Sequence, residues 1–242
     1  MVSQKPWRPE AVLLLLSGMM LTLSVSMLGI HLVQGEDLAP KFVTFLVSTL
    51  GVQCVALVLL HFFLRQHAVR WSEFFGVRER RIVVAVLFAL GIAVVAMPLA
   101  WGLNLISAKL IEAFHGAPEQ QLVVKVLEET RDPLQRTVFA LTAIVMAPVV
   151  EESLFRGILY PLLKYRGYPR AALWGSSLLF AAIHLNLMTF LPLLFFALVL
   201  IWIYERTDTL LAPIVAHATF NSINFLIFMN QSLVDRLLDP TP

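Results

Sequence analysis

Cysteine is nearly absent from this sequence: Cys54 stands alone among 242 residues, which excludes a disulfide scaffold. Charge is scarce as well. Charged residues make up 14% of the chain, against roughly 25% in soluble domains, so an ordinary soluble protein is excluded. The net charge of +2 is too small to point to nucleic acid as a partner. No low-complexity tract and no internal repeat is present, and a chain this apolar does not remain disordered. The G-x-S-x-G signature of serine hydrolases is missing, and so is H-E-x-x-H. What fills the chain instead is hydrophobic sequence, at 59% and a mean hydropathy of +0.80. The reading is an all-α, polytopic membrane helix bundle, with residues 1–242 forming a single integral membrane domain.

A helix needs about 20 apolar residues to cross a bilayer. Ala11 to Leu32, Phe42 to Leu64 and Ile82 to Ile106 qualify and carry no charge. Thr137 to Leu163 makes a fourth span, interrupted by Glu151, Glu152 and Arg156. Ala171 to Tyr204 lacks Asp, Glu, Lys and Arg. It is too long for one span and short for two. A split near Asn186 to Thr189 gives two short helices, with Pro192 in the first turn of the second; one tilted helix or a re-entrant pair stays open. Leu210 to Phe228 completes seven. The larger share of Lys and Arg, including Arg65, Arg70, Arg78, Arg80, Arg81, Lys164, Arg166 and Arg170, falls on one side. That places the N-terminus in the cytoplasm. Residues 118–135 read as an amphipathic helix at the outer interface or as a polar loop.

Ionisable groups at bilayer depth are costly and mark function. Counted from the nearest inner boundary, Glu151, His184 and His217 lie about 20, 21 and 14 Å along their helices. Three separate helices thus bring them to similar depths. His217 and Asn221 are four residues apart and share a face. Glu152 and Arg156 are four apart with the acid first, the order that favours a pair. Glu151 points about 100° away from Glu152, so Arg156 neutralises Glu152 and Glu151 faces the bundle.

A carboxylate beside an imidazole can polarise a water and take its proton. A second imidazole and an amide can donate to a developing oxyanion. Glu151 with His184 fits the first role, and His217 with Asn221 the second. The matching reaction is hydrolysis of an amide or ester inside a membrane cavity. A zinc ion held by Glu151, His184 and His217 is the competing account, which leaves a divalent metal cofactor open.

The same residues resemble a known family. Glu151-Glu152-Ser153-Leu154-Phe155-Arg156 matches EExxxR, Phe180 to His184 matches FxxxH, and His217 to Asn221 matches HxxxN. These are the motifs of the CAAX prenyl protease and bacteriocin-processing (CPBP or Abi) family, in the same order. The resemblance covers about residues 137–228, the expected catalytic core. The N-terminal helices at 11–110 carry no motif. It implies an intramembrane endopeptidase of the type II CAAX prenyl endopeptidase kind. The implied roles are Glu151 as base beside His184, and His217 with Asn221 at the oxyanion. Glu152, Arg156 and Phe180 give motif support. The implied substrate is a peptide or protein tail, prenylated or unmodified, met among membrane lipids in a prokaryotic cell membrane.

Other readings compete. A non-catalytic membrane protein could bind a peptide or lipidated tail, but would not need all four polar residues. A proton-coupled transporter predicts inverted repeats. His61 reads as a satisfied polar core residue. Asn186 and Asn224 read as caps or bridges, and Pro98 and Pro148 as kinks.

Overall fold

The computed structural model describes residues 7–34, 42–43, 46–77, 81–115, 127, 130 and 132–230. Nearly all of these are helical, and among the described residues there is no strand. The helices are α1 (Pro9–Gln34), α2 (a π-turn at Leu46–Gly51 running into Val52–Gln66), the short α3 (Trp71–Phe74), α4 (Ile82–His115), α5 (Pro133–Tyr165), α6 (Pro169–Ala182), α7 (Leu187–Thr207) and α8 (Leu211–Met229). Six of them are long and apolar enough to cross a membrane: α1, α2, α4, α5, α7 and α8. The amphipathic helix expected at 118–135 falls largely outside the described residues.

Helix α6 is the exception to the seven expected spans. Its 14 residues reach about 21 Å, short of the ~30 Å hydrocarbon core. It forms a tight hairpin with α7, and α7 runs the full depth with 21 residues. The break falls where the sequence places it. Asn186 caps α7, its Oδ1 accepting from Thr189 N at 3.0 Å, and Leu185 turns the chain with φ +50°. Pro192 is the correction here: it sits inside α7, one turn beyond the expected position, because the cap falls at the start of the expected split.

Two cores hold the bundle. In one, Ala85, Ala89, Ala93 and Ala100 of α4 face Phe196, Leu200 and Ile203 of α7 and Ala212, Ala216 and Phe220 of α8. Small residues let helix backbones approach closely, which is how helices gain contact where lipid removes the hydrophobic drive. In the other, Trp7, Leu60, Phe63 and Phe74 pack on Ile158 of α5, Phe180 of α6 and Leu210. The α7–α8 turn is tied to the chain after α3. Thr209 Oγ1 donates to Phe75 O at 2.8 Å, and Gly76 beside it needs its φ of +69°. His61 departs from the core expectation. It lies on an exposed face and its Nδ1 accepts from Trp71 Nε1 at 3.1 Å.

Candidate active site

Helix α5 carries the paired glutamates, and two prolines shape it. Before each proline the ladder widens into a π-turn, at Thr142–Met146 and at Phe155–Leu159. Ala147 N–H reaches back five residues to Thr142 O, and Tyr160 N–H to Phe155 O. Pro148 and Pro161 follow directly and have no N–H to give. Pro148 thus has no N–H to offer the Ala143 or Ile144 carbonyl, and Pro161 none to offer that of Arg156 or Gly157. A buried carbonyl needs a donor, and other elements supply it. Asn221 Nδ2 of α8 donates to Ala143 O at 2.8 Å. Trp7 Nε1 donates to Gly157 O at 2.9 Å. The widened turns bracket Ala147–Leu154, the segment that holds Glu151 and Glu152.

Glu152 is the hub. It is fully buried, and its Oε1 accepts from Arg156 Nη1 and from His217 Nδ1, both at 2.9 Å. Arg156, also buried, donates through Nη2 to Ala197 O of α7 at 3.0 Å. Its guanidinium lies 4.6 Å over the Phe180 ring. Glu152 is thus neutralised by Arg156 as the spacing predicts, and it also orients His217. The spacing argument treats one helix at a time, so a bond between α5 and α8 is invisible to it.

With Nδ1 committed to Glu152, His217 presents Nε2 to Glu151 Oε2 at 3.9 Å. That is an ion-pair distance, too long for a hydrogen bond. Glu151 Oε2 is a buried atom with no hydrogen-bond partner among the described residues, while the side chain as a whole keeps 24% exposure. Glu151 therefore borders a space rather than filling the core.

Phe180 joins the three motifs. Its ring centroid is 5.1 Å from that of His184 and 5.8 Å from that of His217. His184 lies in the turn after α6 and its Nδ1 is 2.7 Å from Phe180 O. A carbonyl only accepts, so Nδ1 carries a proton, and in the neutral imidazole Nε2 keeps its lone pair. The structure brings Glu151, Glu152, Arg156, Phe180 and His217 together. No hydrogen bond or ion pair joins His184 to Glu151 among the described residues, whereas His217 reaches Glu151 at ion-pair distance. Asn221 sits one turn beyond His217, anchored by one N–H on Ala143 O, with no second partner for its amide nitrogen among the described residues. Sequence reading misses two contributors. Phe196 of α7 packs edge-on to His217 at 5.7 Å, and Ala197 holds Arg156 through its backbone. Neither lies in a motif, and a backbone acceptor has no side-chain signal.

The zinc alternative meets the geometry poorly. Among the described residues, no group of three His, Cys, Asp or Glu is arranged to hold a metal ion. Glu151 and His217 are close, and His184 does not complete the set.

Residues 133–223 match the family described as type II CAAX prenyl endopeptidase Rce1-like. The match covers a little over a third of the chain and runs from the start of α5 into α8. The chain is also similar to the UPF0177 protein YaiF of Lactococcus lactis subsp. lactis, 31% identical over 86 residues, which is 34% of this chain and 37% of that protein. The chain thus spans just over a third of the length of this curated relative. No solved structure matches.

Proposed function

We propose that this protein is an intramembrane endopeptidase that hydrolyses a peptide bond in a peptide or protein tail, prenylated or unmodified. Its N-terminus is cytoplasmic, and it sits as a multi-pass protein in a prokaryotic cell membrane. Residues 137–228 form its catalytic core, carried by the helices at 11–110. The observation that carries the reading is the convergence of Glu151 and His217 behind the Glu152–His217 bond, within the stretch that matches the endopeptidase family.

Glu151 takes a proton from water as the water oxygen attacks the carbonyl carbon of the scissile bond. The free Nε2 lone pair of His184 accepts the other hydrogen of that water and aligns it. The carbonyl oxygen gains negative charge. In its imidazolium form His217 donates Nε2–H to that oxygen, and Asn221 donates its second Nδ2–H. Both donors are fixed before substrate arrives, His217 by Glu152 and Asn221 by Ala143 O. The proton on Glu151 then passes to the leaving nitrogen as the C–N bond breaks. Charge, bonds and protons balance without a covalent intermediate.

The test is cleavage of a quenched fluorescent peptide library, with and without prenyl groups, by purified protein in detergent. Glu151→Gln keeps shape and removes the base, so cleavage is lost while the unfolding temperature stays near wild type. A chelator leaves wild-type cleavage intact. Wild-type protein that binds these peptides but cleaves none would overturn the reading.

A further inference from the structure

Helices α4 and α7 run antiparallel and meet at two places. Phe88 and Trp202 lie ring to ring at 5.4 Å, and Asn104 Nδ2 donates to Met188 O at 3.4 Å. Between these contacts the surface opens into a groove of about 520 Å³, within the ~300–1,000 Å³ that small-ligand sites occupy. Ile92, Val95 and Leu99 form one wall, and Phe195, Val199 and Trp202 the other. Each set recurs every three or four residues and so makes one stripe of its helix. The lining is almost wholly apolar, and both helices are of membrane length. The proposed reaction does not use this groove. On α7 it is Phe196 that turns to His217, and Ala197 O that holds Arg156.

Both stripes end in an arginine, and at the same end of the bundle. On α7, Arg206 follows Trp202 by four residues, and its guanidinium lies 5.5 Å from the Trp202 ring centroid. On α4, Arg81 precedes Phe88 by seven residues. Ala85 N–H donates to Arg81 O at 2.9 Å, so helical register reaches back to Arg81. Both arginines are exposed. Because the helices are antiparallel, Arg206 lies about 6 Å and Arg81 about 10 Å beyond the Phe88–Trp202 contact. Arg206 makes no ion pair among the described residues, its neighbour Glu205 being paired with Lys164.

We propose that this groove binds an anionic phospholipid, with one acyl chain between α4 and α7 and the phosphate at Arg206 and Arg81. The walls offer an acyl chain apolar contact throughout, Trp202 Nε1 apart. A guanidinium meets a phosphate through parallel N–H···O bonds, and its stacking over Trp202 holds Arg206 at the groove's mouth. Basic residues at the cytoplasmic ends of membrane helices select anionic lipids, and the orientation proposed above puts both arginines there. A second copy of the chain fits poorly. Two copies in one membrane meet about an axis along its normal, so both arginines would face their own images, and like charges repel. An isoprenoid tail would fill the groove but bring no charge to the arginines. The site rests on the membrane helices and not on the proposed reaction.

The test is native mass spectrometry of the delipidated full chain in detergent, titrated with phosphatidylglycerol or phosphatidylcholine of identical acyl chains. An arginine near an anionic headgroup is worth about five-fold in binding, and two roughly thirty-fold. A first phosphatidylglycerol should bind more tightly than phosphatidylcholine by about that factor. Arg81→Gln with Arg206→Gln should erase the preference. Arg166→Gln with Arg170→Gln, exposed arginines outside the groove, should keep it. Val95→Trp puts bulk into the groove from an exposed rim position and should weaken phosphatidylglycerol binding several-fold. Equal wild-type affinities for the two lipids overturn the proposal. So does a preference that survives loss of Arg81 and Arg206, that disappears with Arg166 and Arg170, or that is indifferent to Val95→Trp. Displacement of phosphatidylglycerol by an equimolar neutral farnesylated peptide overturns it in favour of an isoprenoid site. The wild-type comparison decides by itself if a variant does not fold.

Discussion

Glu152→Gln is the substitution with the clearest expected consequence. The carboxylate is fully buried and serves two partners through one oxygen. The amide keeps the volume but not the charge. Arg156 would then be a buried cation without its hydrogen-bonded counter-charge, and removing one partner of such a pair costs about 3–5 kcal/mol. Against a typical stability of ~5–15 kcal/mol, that is a large share. Arg156→Met should cost a similar amount, because it leaves the carboxylate alone with His217. Replacing both removes both desolvation penalties, so the double variant should be much closer to wild type than the two single losses added together. Unfolding in detergent, followed by tryptophan fluorescence across the four proteins, measures this coupling directly. Cleavage should follow a different order. Both variants lacking Glu152 should lose activity in the proposed reaction, since an amide oxygen can still accept from His217 Nδ1 but no longer stabilises the imidazolium, and restored stability in the double variant does not bring activity back. Additive losses of under about 1 kcal/mol each would refute the argument, since exposed pairs behave that way.

Two further predictions concern the support of α5. A Cβ at Gly157 would lie 2.5 Å from Phe74 Cζ and 3.2 Å from Leu210 Cδ2, and Phe74 is hemmed in by Trp7, Trp71 and Phe75. Gly157→Ala should therefore cost about 1–3 kcal/mol by overpacking, read as a lower unfolding temperature, and Phe74→Leu in the same chain should recover part of it. Trp7→Phe keeps the ring contacts and removes the donor to Gly157 O, so it should lose about 1–3 kcal/mol through the stranded carbonyl, with cleavage reduced less than stability.

The fold was legible in the sequence to the extent that apolar length decides it. Each long apolar run became a membrane-length helix, and the break before Leu187 was marked by Asn186, whose side chain offers the next helix its cap. The failures have one cause in common. Periodicity describes a helix against an average environment and says nothing about which helix is its neighbour. His61 looked like a core residue because its surroundings in sequence are apolar, yet its helix turns that face outward. Glu152 looked like half of an isolated pair because Arg156 is one turn away. Its bond to His217 spans 65 residues. The candidate site residues stand out as polar groups in apolar sequence, while Ala197 and Phe196 do not.

The prolines of α5 join local sequence to the site most directly, and Pro148→Ala tests that link. Alanine restores an N–H at position 148 and removes ring crowding, and in a regular helix alanine is favoured over proline by about 3 kcal/mol. The restored N–H can close the ladder onto Ala143 O or Ile144 O. If it takes Ala143 O, Asn221 loses its anchor and its amide is free to turn. If it takes Ile144 O, the π-turn relaxes and Ala147 N–H returns to Ala143 O, with the same result for Asn221. Either way the protein should become more stable, or no less so, while cleavage falls through weaker stabilisation of the oxyanion. Such a fall should appear in kcat more than in KM, because in the proposed reaction Asn221 acts on charge that develops only in the transition state. A stability gain with full activity would show that the widened turn does not set the Asn221 amide. A loss of both would show that Pro148 is needed for packing instead.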